Sequence, residues 1–225
     1  MTDLSLWIKI CANTTLEDAR LAAEAGANAV GFVFAPSKRQ VTVEQVAAIV
    51  PSLPAELEKI GVFVDVSADA MEHALRTCGL TGVQLHWDAS LTLTAEMRRR
   101  LGNEKKIFRV MHFALGDLSP QALEKLTDPS VDAVVVDSRS ATVVGGTGET
   151  FGWIAASETL FRTAKERGVR LAVAGGLAPE NVAEAIRVLA PWGVDVASGV
   201  EAAPGRKDAA KVREFVRQAR GRWRF

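Results

Sequence analysis

Short runs of apolar residues alternate with amphipathic stretches along the whole chain, and this alternation restricts the fold more than any other feature. An apolar run that is too short for a membrane span is typical of a strand buried on both faces. Such strands, when joined by amphipathic helices, form parallel sheets with crossover connections. We count eight strand–helix units without a linker or low-complexity insert between them. The chain is therefore predicted to be an α/β protein, a single (β/α)8 TIM barrel over residues 1–225, with an open doubly wound sheet as the alternative.

The segments between the predicted strands carry the residues that begin and end helices. Thr42 and Ser67 are predicted N-caps, and Gly26 is predicted to stop the first helix. Pro179 is predicted in the first turn of a helix that reaches Leu189. The predicted strands are Leu6–Ile10, Ala29–Phe34, Ile60–Val64, Gly82–Leu85, Ile107–Val110, the run from Val131 that ends in Asp137, Leu171–Ala174 and Val194–Val196.

The charge balance argues against several classes of partner. The chain has 27 basic and 27 acidic residues, so no overall field favours nucleic acid or an anionic membrane. Its N-terminal segment lacks the regions of a signal peptide, and no apolar run is long enough to span a bilayer. We expect a cytoplasmic protein that binds neither nucleic acid nor membranes, and its state stays open between monomer and homodimer.

Neither the histidines nor the cysteines form a pattern typical of a metal site or a disulfide framework. His73, His86 and His112 fall in three different units, and the sequence contains no HExxH or CxxC motif. We therefore expect no metal. The two cysteines, Cys11 and Cys78, are too few for a disulfide framework.

The ends of the predicted strands gather distant parts of the sequence into one predicted site. In (β/α)8 barrels the active site is built from the loops at the C-terminal ends of the strands. Applied to this chain, that rule selects Cys11, Arg39, His86, Asp137, the glycines of the sixth and seventh loops, and Ser198 with Gly199.

Three consecutive units end in glycine-rich turns: GGTG at 145–148, AGGL at 174–177 and ASGV at 197–200. GGTG is not followed by the lysine of a P-loop, and Phe151 occupies the place of the third glycine of a dinucleotide fingerprint, so no nucleotide cofactor is expected. Bare backbone N–H groups at such turns bind phosphate. The three turns together predict a phosphate cradle, although a single turn of this kind also occurs for chain geometry alone.

Three strand-end side chains suggest acid–base chemistry and carboxylate binding. Cys11 serves as a base only if a positive neighbour or a dipole lowers its pKa, and otherwise it is a small buried side chain. Asp137 follows three valines, and partial desolvation would raise its pKa as a general acid requires, whereas a structural role paired with Arg139 is the alternative. Arg39 is either a solvated loop charge or a guanidinium that captures a carboxylate.

Taken together, these segments resemble the phosphoribosylanthranilate isomerase family of tryptophan biosynthesis. The resemblance runs in order over nearly the whole chain. It is carried by KIC at 9–11, GFVFAPSKRQVT at 31–42, GVFV at 61–64, GVQLH at 82–86, VVVD at 134–137 with GGTGETFGW at 145–153, AGGLAPENV at 174–182 and SGVEAAPGRKD at 198–208.

The resemblance implies a single (β/α)8 barrel that performs an Amadori rearrangement of a phosphorylated aminosugar, with no cofactor or metal. By resemblance, Cys11 is the general base, Asp137 is the general acid, and Arg39 binds the anthranilate portion. It also implies that Gln84 and His86 contact the substrate. The phosphate would bind at Gly145, Gly146, Thr147, Gly175, Gly176, Ser198 and Gly199.

The chain departs from the family pattern at three positions: Ala12 and Trp87 stand where the family usually has glycine, and Gly152 replaces the aspartate of FDW. These changes bear on loop geometry and substrate access rather than on the proposed acid–base pair. Two alternatives to the implied activity are a non-catalytic phosphosugar-binding barrel and an isomerase of a different aminoaldose phosphate.

Overall fold

The computed structural model describes residues 6–86, 89–112, 119–137 and 160–221, and within them eight parallel strands close into a barrel. Strands pair in chain order, and β1 (Trp7–Ile10) pairs with β8 (Gly193–Val196). The barrel prediction is confirmed. The open doubly wound sheet is excluded, because its first and last strands would not pair.

The remaining barrel strands agree with the predicted ones in position and differ at some ends. β3 begins at Glu58 because its ladder with β2 starts there, opposite Ala29. β5 continues past the predicted end at Val110 to His112, which lies opposite Asp137. The bounds are β2 Ala29–Val33, β3 Glu58–Phe63, β4 Gly82–Leu85, β5 Lys106–His112, β6 Ala133–Asp137 and β7 Leu171–Ala174.

Helices lie between the strands, and a short antiparallel hairpin follows β8. Their bounds are α1 Leu16–Glu24, α2 Val43–Ile49, α3 Ala68–Cys78, α4 Leu91–Leu101, α5 Pro120–Leu126, α6 Arg162–Glu166, α7 Val182–Leu189 and α8 Ala209–Gly221, with the hairpin made of β9 (Glu201–Ala203) and β10 (Arg206–Lys207). None of the helices in the described ranges is long and apolar enough to cross a membrane.

The helix ends show which local sequence signals correctly predicted where a helix begins. Thr42 caps α2 in a reciprocal capping box with Gln45, and Ser67 accepts from the backbone of α3, as predicted. The prediction for Pro179 is wrong: α7 begins at Val182. Pro179 lies in a separate turn, in which the Asn181 side-chain oxygen accepts from the backbone N–H of Ala178 at 2.8 Å.

The strands carry apolar side chains on both faces, as the short apolar runs predict. Along β1, Ile8 and Ile10 belong to the layer between strands and helices, whereas Trp7 packs among the residues inside the barrel. Trp7 stacks on Phe108 and Trp192, with ring centroids 5.2 and 5.0 Å apart. These rings fill the end of the barrel interior where β1 begins and leave the opposite end, at the C-terminal ends of the strands, for a cavity.

A buried arginine on β5 fixes the segment that follows β4. The Arg109 guanidinium donates to the Ala89 carbonyl at 2.6 Å, to Thr94 Oγ1 at 3.2 Å and to Asp128 Oδ2 at 2.9 Å. Burial alone would raise the pKa of Asp128, but hydrogen bonds from Thr94, the Ser130 backbone and Arg109 hold it below its ordinary value. Arg109 therefore joins β5, α4 and the chain beyond α5 to the segment next to His86.

We expect Arg109→Met to lower the free energy of unfolding by about 3–5 kcal/mol, because it leaves Asp128 as a buried charge without its cation. Urea-induced unfolding would measure the loss. The matched control is Arg76→Met, whose side chain is 74% exposed and should lose less than about 1 kcal/mol. Equal losses for the two variants would contradict the role assigned to Arg109.

Candidate active site

A cavity of about 300 Å³ opens at the C-terminal ends of the barrel strands and collects most of the predicted site. Its walls include the predicted residues Cys11, Arg39, Gln84, His86, Asp137, Gly175, Gly176 and Ser198. The predicted phosphate residues Gly145, Gly146 and Thr147 lie outside the described residues, as do Arg139, Trp87 and Gly152. Segments far apart in sequence thus present a thiol, a carboxyl and a guanidinium to one cavity.

Cys11 sits directly after β1, on the inward-facing row that starts with Trp7 and continues through Lys9. Lys9 is fully buried, and its Nζ donates to Gln84 Oε1 at 2.8 Å and to Asp195 Oδ2 at 2.6 Å. A Cβ added to Gly31 would lie 2.6 Å from Cys11 Sγ and 2.9 Å from Lys9 Cε. The thiol and the lysine stem therefore flank the same narrow gap, which only glycine leaves open.

The two buried groups shift each other's pKa in opposite senses. Burial raises the pKa of the Cys11 thiol, the Lys9 cation lowers it and the Asp195 charge raises it, and the result lies above the ordinary value. Burial lowers the pKa of Lys9, but the charges of Asp195 and Cys11 outweigh burial and raise it. The positive neighbour that a cysteine base requires is present, yet the thiol in the free protein stays mostly protonated at neutral pH.

Asp195 is a site residue that the sequence reasoning missed. It lies on β8, is 6% exposed and lines the cavity. One carboxylate oxygen accepts from Lys9, and the other, Oδ1, is buried without a hydrogen-bond partner among the described residues. Asp195 could have been found as a charged residue inside an otherwise apolar strand, because a buried charge needs a partner of opposite charge. Lys9 carried the same signal within KIC.

Arg39 lines the cavity as predicted, and its guanidinium is already paired. Nε donates to both carboxylate oxygens of Glu201, at 2.8 and 3.1 Å, and Nη2 donates to Oε2 at 2.7 Å. Burial would raise the pKa of Glu201, but the hydrogen bond from Arg39 and the charge of Lys207 lower it. Arg39 is thus a paired and partly exposed charge in the loop after β2, and its binding role stays a prediction. Glu201 and Lys207 are two further residues that the sequence reasoning did not single out.

The glycine-rich ends of β7 and β8 have different geometric reasons for lacking side chains. Gly175 and Gly176 have φ of 81° and 66°, a left-handed conformation that favours glycine. A Cβ on Gly199 would lie 1.9 Å from the Leu177 carbonyl oxygen, so the loops of the last two units touch there. Gly199 is not among the residues that line the described cavity, and its binding role stays a prediction.

Two other predictions concern the edges of the site. Ala12, in the place of a family glycine, adopts φ of 63°, so the chain keeps a left-handed loop at the cost of local strain. Asp137 is 9% exposed at the tip of β6, consistent with a partly desolvated carboxyl.

Across the described residues, no group of three or more histidine, cysteine or acidic side chains is placed to hold a metal ion.

A closed (β/α)8 barrel with a thiol and a carboxyl facing one cavity at the strand ends defines a barrel enzyme. The family model for N-(5'-phosphoribosyl)anthranilate (PRA) isomerase matches residues 8–218. The chain therefore belongs to this family of isomerases of tryptophan biosynthesis, as the resemblance implied. The two alternative activities are not favoured.

Individual relatives support the assignment over almost the full length. An N-(5'-phosphoribosyl)anthranilate isomerase from a Geobacter species is 45% identical over 214 residues, covering 95% of this chain and 97% of the relative. The crystal structure of the Thermotoga maritima phosphoribosyl anthranilate isomerase has a TM-score of 0.83 and 34% identity, covering 96% and 99% of the two chains. Another structure of such an isomerase, bound to reduced 1-(o-carboxyphenylamino)-1-deoxyribulose 5-phosphate, has a TM-score of 0.80 and 33% identity, covering 96% and 99%.

We expect Cys11 to be alkylated with a pH midpoint above about 8.5, the ordinary value for a thiol, because burial outweighs the Lys9 cation. Lys9→Met should move the midpoint further up, and Asp195→Asn should move it down. Iodoacetamide labelling at a series of pH values, with Cys11 and Cys78 resolved by mass spectrometry, would measure both shifts.

The matched control for this titration is Lys165→Met, an exposed position on α6, which should leave the Cys11 midpoint unchanged. A wild-type midpoint at or below 8.5 would show that burial does not outweigh the Lys9 cation, and the same midpoint in Lys9→Met as in wild type would show that Lys9 does not act on the thiol.

Proposed function

We propose that the chain converts N-(5-phosphoribosyl)anthranilate to 1-(o-carboxyphenylamino)-1-deoxyribulose 5-phosphate, with Asp137 as general acid and Cys11 as general base. The observation that carries the proposal is the placement of these two side chains, from the tips of β6 and β1, on the wall of one cavity. Two groups on different strands can face a single sugar from two sides, as the two proton transfers of this rearrangement require.

The first step is the opening of the ribose ring. Protonated Asp137 gives its proton to the ring oxygen, the C1–O bond breaks, and the substrate nitrogen supplies the electron pair that forms the protonated Schiff base. A carboxyl that is 9% exposed suits this role, since desolvation favours the neutral, proton-bearing form.

The second step is the removal of the C2 proton. Cys11, as thiolate, takes that proton, the electrons move into the Schiff base, and the resulting enol amine tautomerises to the ketose. The positive charge of the Schiff base acidifies C2–H, and Lys9 stabilises the thiolate beside it. No cofactor or metal takes part in either step.

The rest of the cavity suits the other parts of the substrate. Gly175, Gly176 and Ser198 line the cavity, and with the 145–148 turn their backbone groups would form the phosphate site. Asp195 Oδ1, an acceptor without a partner in the described chain, would accept a hydrogen bond from a sugar hydroxyl. Gln84 and His86 would contact the same part of the ligand, and Arg39 would bind the anthranilate carboxylate.

We expect Cys11→Ala and Asp137→Ala each to lower turnover by about 100- to 10,000-fold, the usual contribution of a general acid or base. The loss of substrate fluorescence would measure turnover. Both variants should still bind the reduced product found in the related crystal structure, since neither change removes the phosphate or carboxylate contacts.

The matched controls are Cys78→Ala and Asp69→Ala, a cysteine and an aspartate on α3 away from the cavity, and both should keep wild-type turnover. Full activity in either site variant would overturn the assigned roles. A wild-type protein that binds the ligand without converting phosphoribosylanthranilate would indicate a non-catalytic phosphosugar-binding barrel, and conversion of another aminoaldose phosphate alone would indicate the other alternative.

A further inference from the structure

We propose that Glu201 is a positioning residue that orients the Arg39 guanidinium and so sets the preference for a substrate carrying a carboxylate on its aromatic ring. The inference rests on the proposed function, in which Arg39 receives that carboxylate. It assigns to Glu201 a role in recognition that it fulfils through Arg39, without touching the substrate.

The geometry of the pair leaves one edge of the guanidinium available. Glu201 occupies Nε and Nη2 of Arg39 through three contacts of 2.7–3.1 Å. Nη1 makes no hydrogen bond within the described part of the chain. The Arg39 side chain is 28% exposed at the cavity, whereas that of Glu201 is 5% exposed behind it. A carboxylate entering the cavity therefore meets a guanidinium that is already held from the other side.

Glu201 is in turn held by the hairpin that follows β8. The Gly205 backbone N–H and Lys207 Nζ lie 3.3 and 3.4 Å from its Oε1. Lys207 also donates to the Ala197 carbonyl at 3.1 Å. Thr14 Oγ1 donates to the Gly205 carbonyl at 2.6 Å, which ties the hairpin to the loop after β1. The carboxylate of Glu201 is thus a fixed point that positions a longer and more exposed arginine.

The charges of this cluster permit a further anion to bind. Arg39 and Lys207 carry two positive charges and Glu201 one negative charge; the nearby Asp18 charge, which also acts on Lys207, is itself paired with Arg206 at 3.6 Å, so these groups keep one positive charge after pairing. Glu201 therefore does not cancel the attraction for a substrate carboxylate. This balance is expected of a support for Arg39 and would be absent from a simple one-to-one ion pair.

Glu201 could orient Arg39 for the ligand or compete with the ligand for Arg39, and these two roles predict opposite effects of removing the Glu201 charge. Without its support, Arg39 must be ordered by the ligand, which weakens binding by roughly two- to tenfold for a side chain with many rotamers. Without the negative charge, attraction between Arg39 and the ligand would instead strengthen. Because Arg39 is partly solvated and its charge is screened, we expect the loss of orientation to dominate.

The test compares two ligands in wild-type protein and Glu201→Gln, with isothermal titration calorimetry as the measurement. One is reduced 1-(o-carboxyphenylamino)-1-deoxyribulose 5-phosphate, and the other is the same compound without the carboxyl group. We expect Glu201→Gln to weaken binding of the first ligand by about two- to tenfold and to leave the affinity for the second ligand unchanged. With phosphoribosylanthranilate, KM should rise by a similar factor while kcat stays within about twofold.

Two further variants separate orientation from a general structural effect. Arg39→Ala should remove the preference for the carboxylate ligand, and in that background Glu201→Gln should cause no further selective loss. Glu214→Gln, which alters an exposed pair with Arg217 on α8, should bind both ligands like wild type.

Several results would overturn the proposal. Equal weakening of both ligands would show that Glu201 supports the loop structure only, and tighter binding of the carboxylate ligand would show that it competes with substrate. Equal binding of the two ligands by wild type would remove the role of Arg39. If wild type does not turn over phosphoribosylanthranilate but Glu201→Gln selectively weakens the carboxylate ligand, the proposed function fails and the positioning role stands.

Discussion

The interior of this barrel depends on one buried positive charge, the ammonium group of Lys9. It is fully buried on β1, and its partners Gln84 and Asp195 lie on β4 and β8. Burial of an unpaired ion in a protein costs several kcal/mol, and the close contact with Asp195 offsets that cost. The same charge also faces the Cys11 thiol. One side chain therefore joins three strands and sets the electrostatic surroundings of the proposed base.

A buried ion pair is a poor device for stability alone, because well-packed apolar residues of similar volume often do as well or better. The position of this pair suggests what it contributes instead. Below it on β1, Trp7 and its aromatic neighbours close the barrel interior, and above it Cys11 borders the cavity. The pair lies at the boundary between apolar packing and the site, where a charge acts strongly on a neighbouring thiol because little water screens it.

The sequence was sufficient for the fold and for the residues at the strand ends, because both depend on local patterns. Apolar runs mark the strands, and Thr42 and Ser67 cap helices through contacts three residues away. The partners of buried charges could not be found in this way. Lys9 and Asp195 are 186 residues apart, and Arg39 and Glu201 are 162 apart, so both pairs exist only because the barrel closes.

A local sequence signal for the start of a helix can also fail when the same residues form a separate turn. Pro179 was predicted in the first turn of a helix, a position that proline favours. The backbone N–H of Ala178 instead donates a hydrogen bond to the side-chain oxygen of Asn181, which completes a separate turn. The helix starts after this turn, at Val182. Just before this turn, Gly175 and Gly176 adopt left-handed conformations and line the cavity.

The protonation of the resting site bears on how the proposed reaction starts. Burial keeps the Cys11 thiol mostly protonated in the free protein, although the proposed base must be a thiolate. Ring opening places the positive charge of the Schiff base in the cavity, and a positive charge near the thiol favours its ionised form. The proposed acid step would therefore prepare the base step: the cation formed by proton transfer from Asp137 would acidify C2–H and lower the pKa of Cys11, and the thiol would release its own proton to solvent before it takes the C2 proton. In this order Lys9 limits the penalty of burial, and the substrate supplies the remaining charge only when the base is needed.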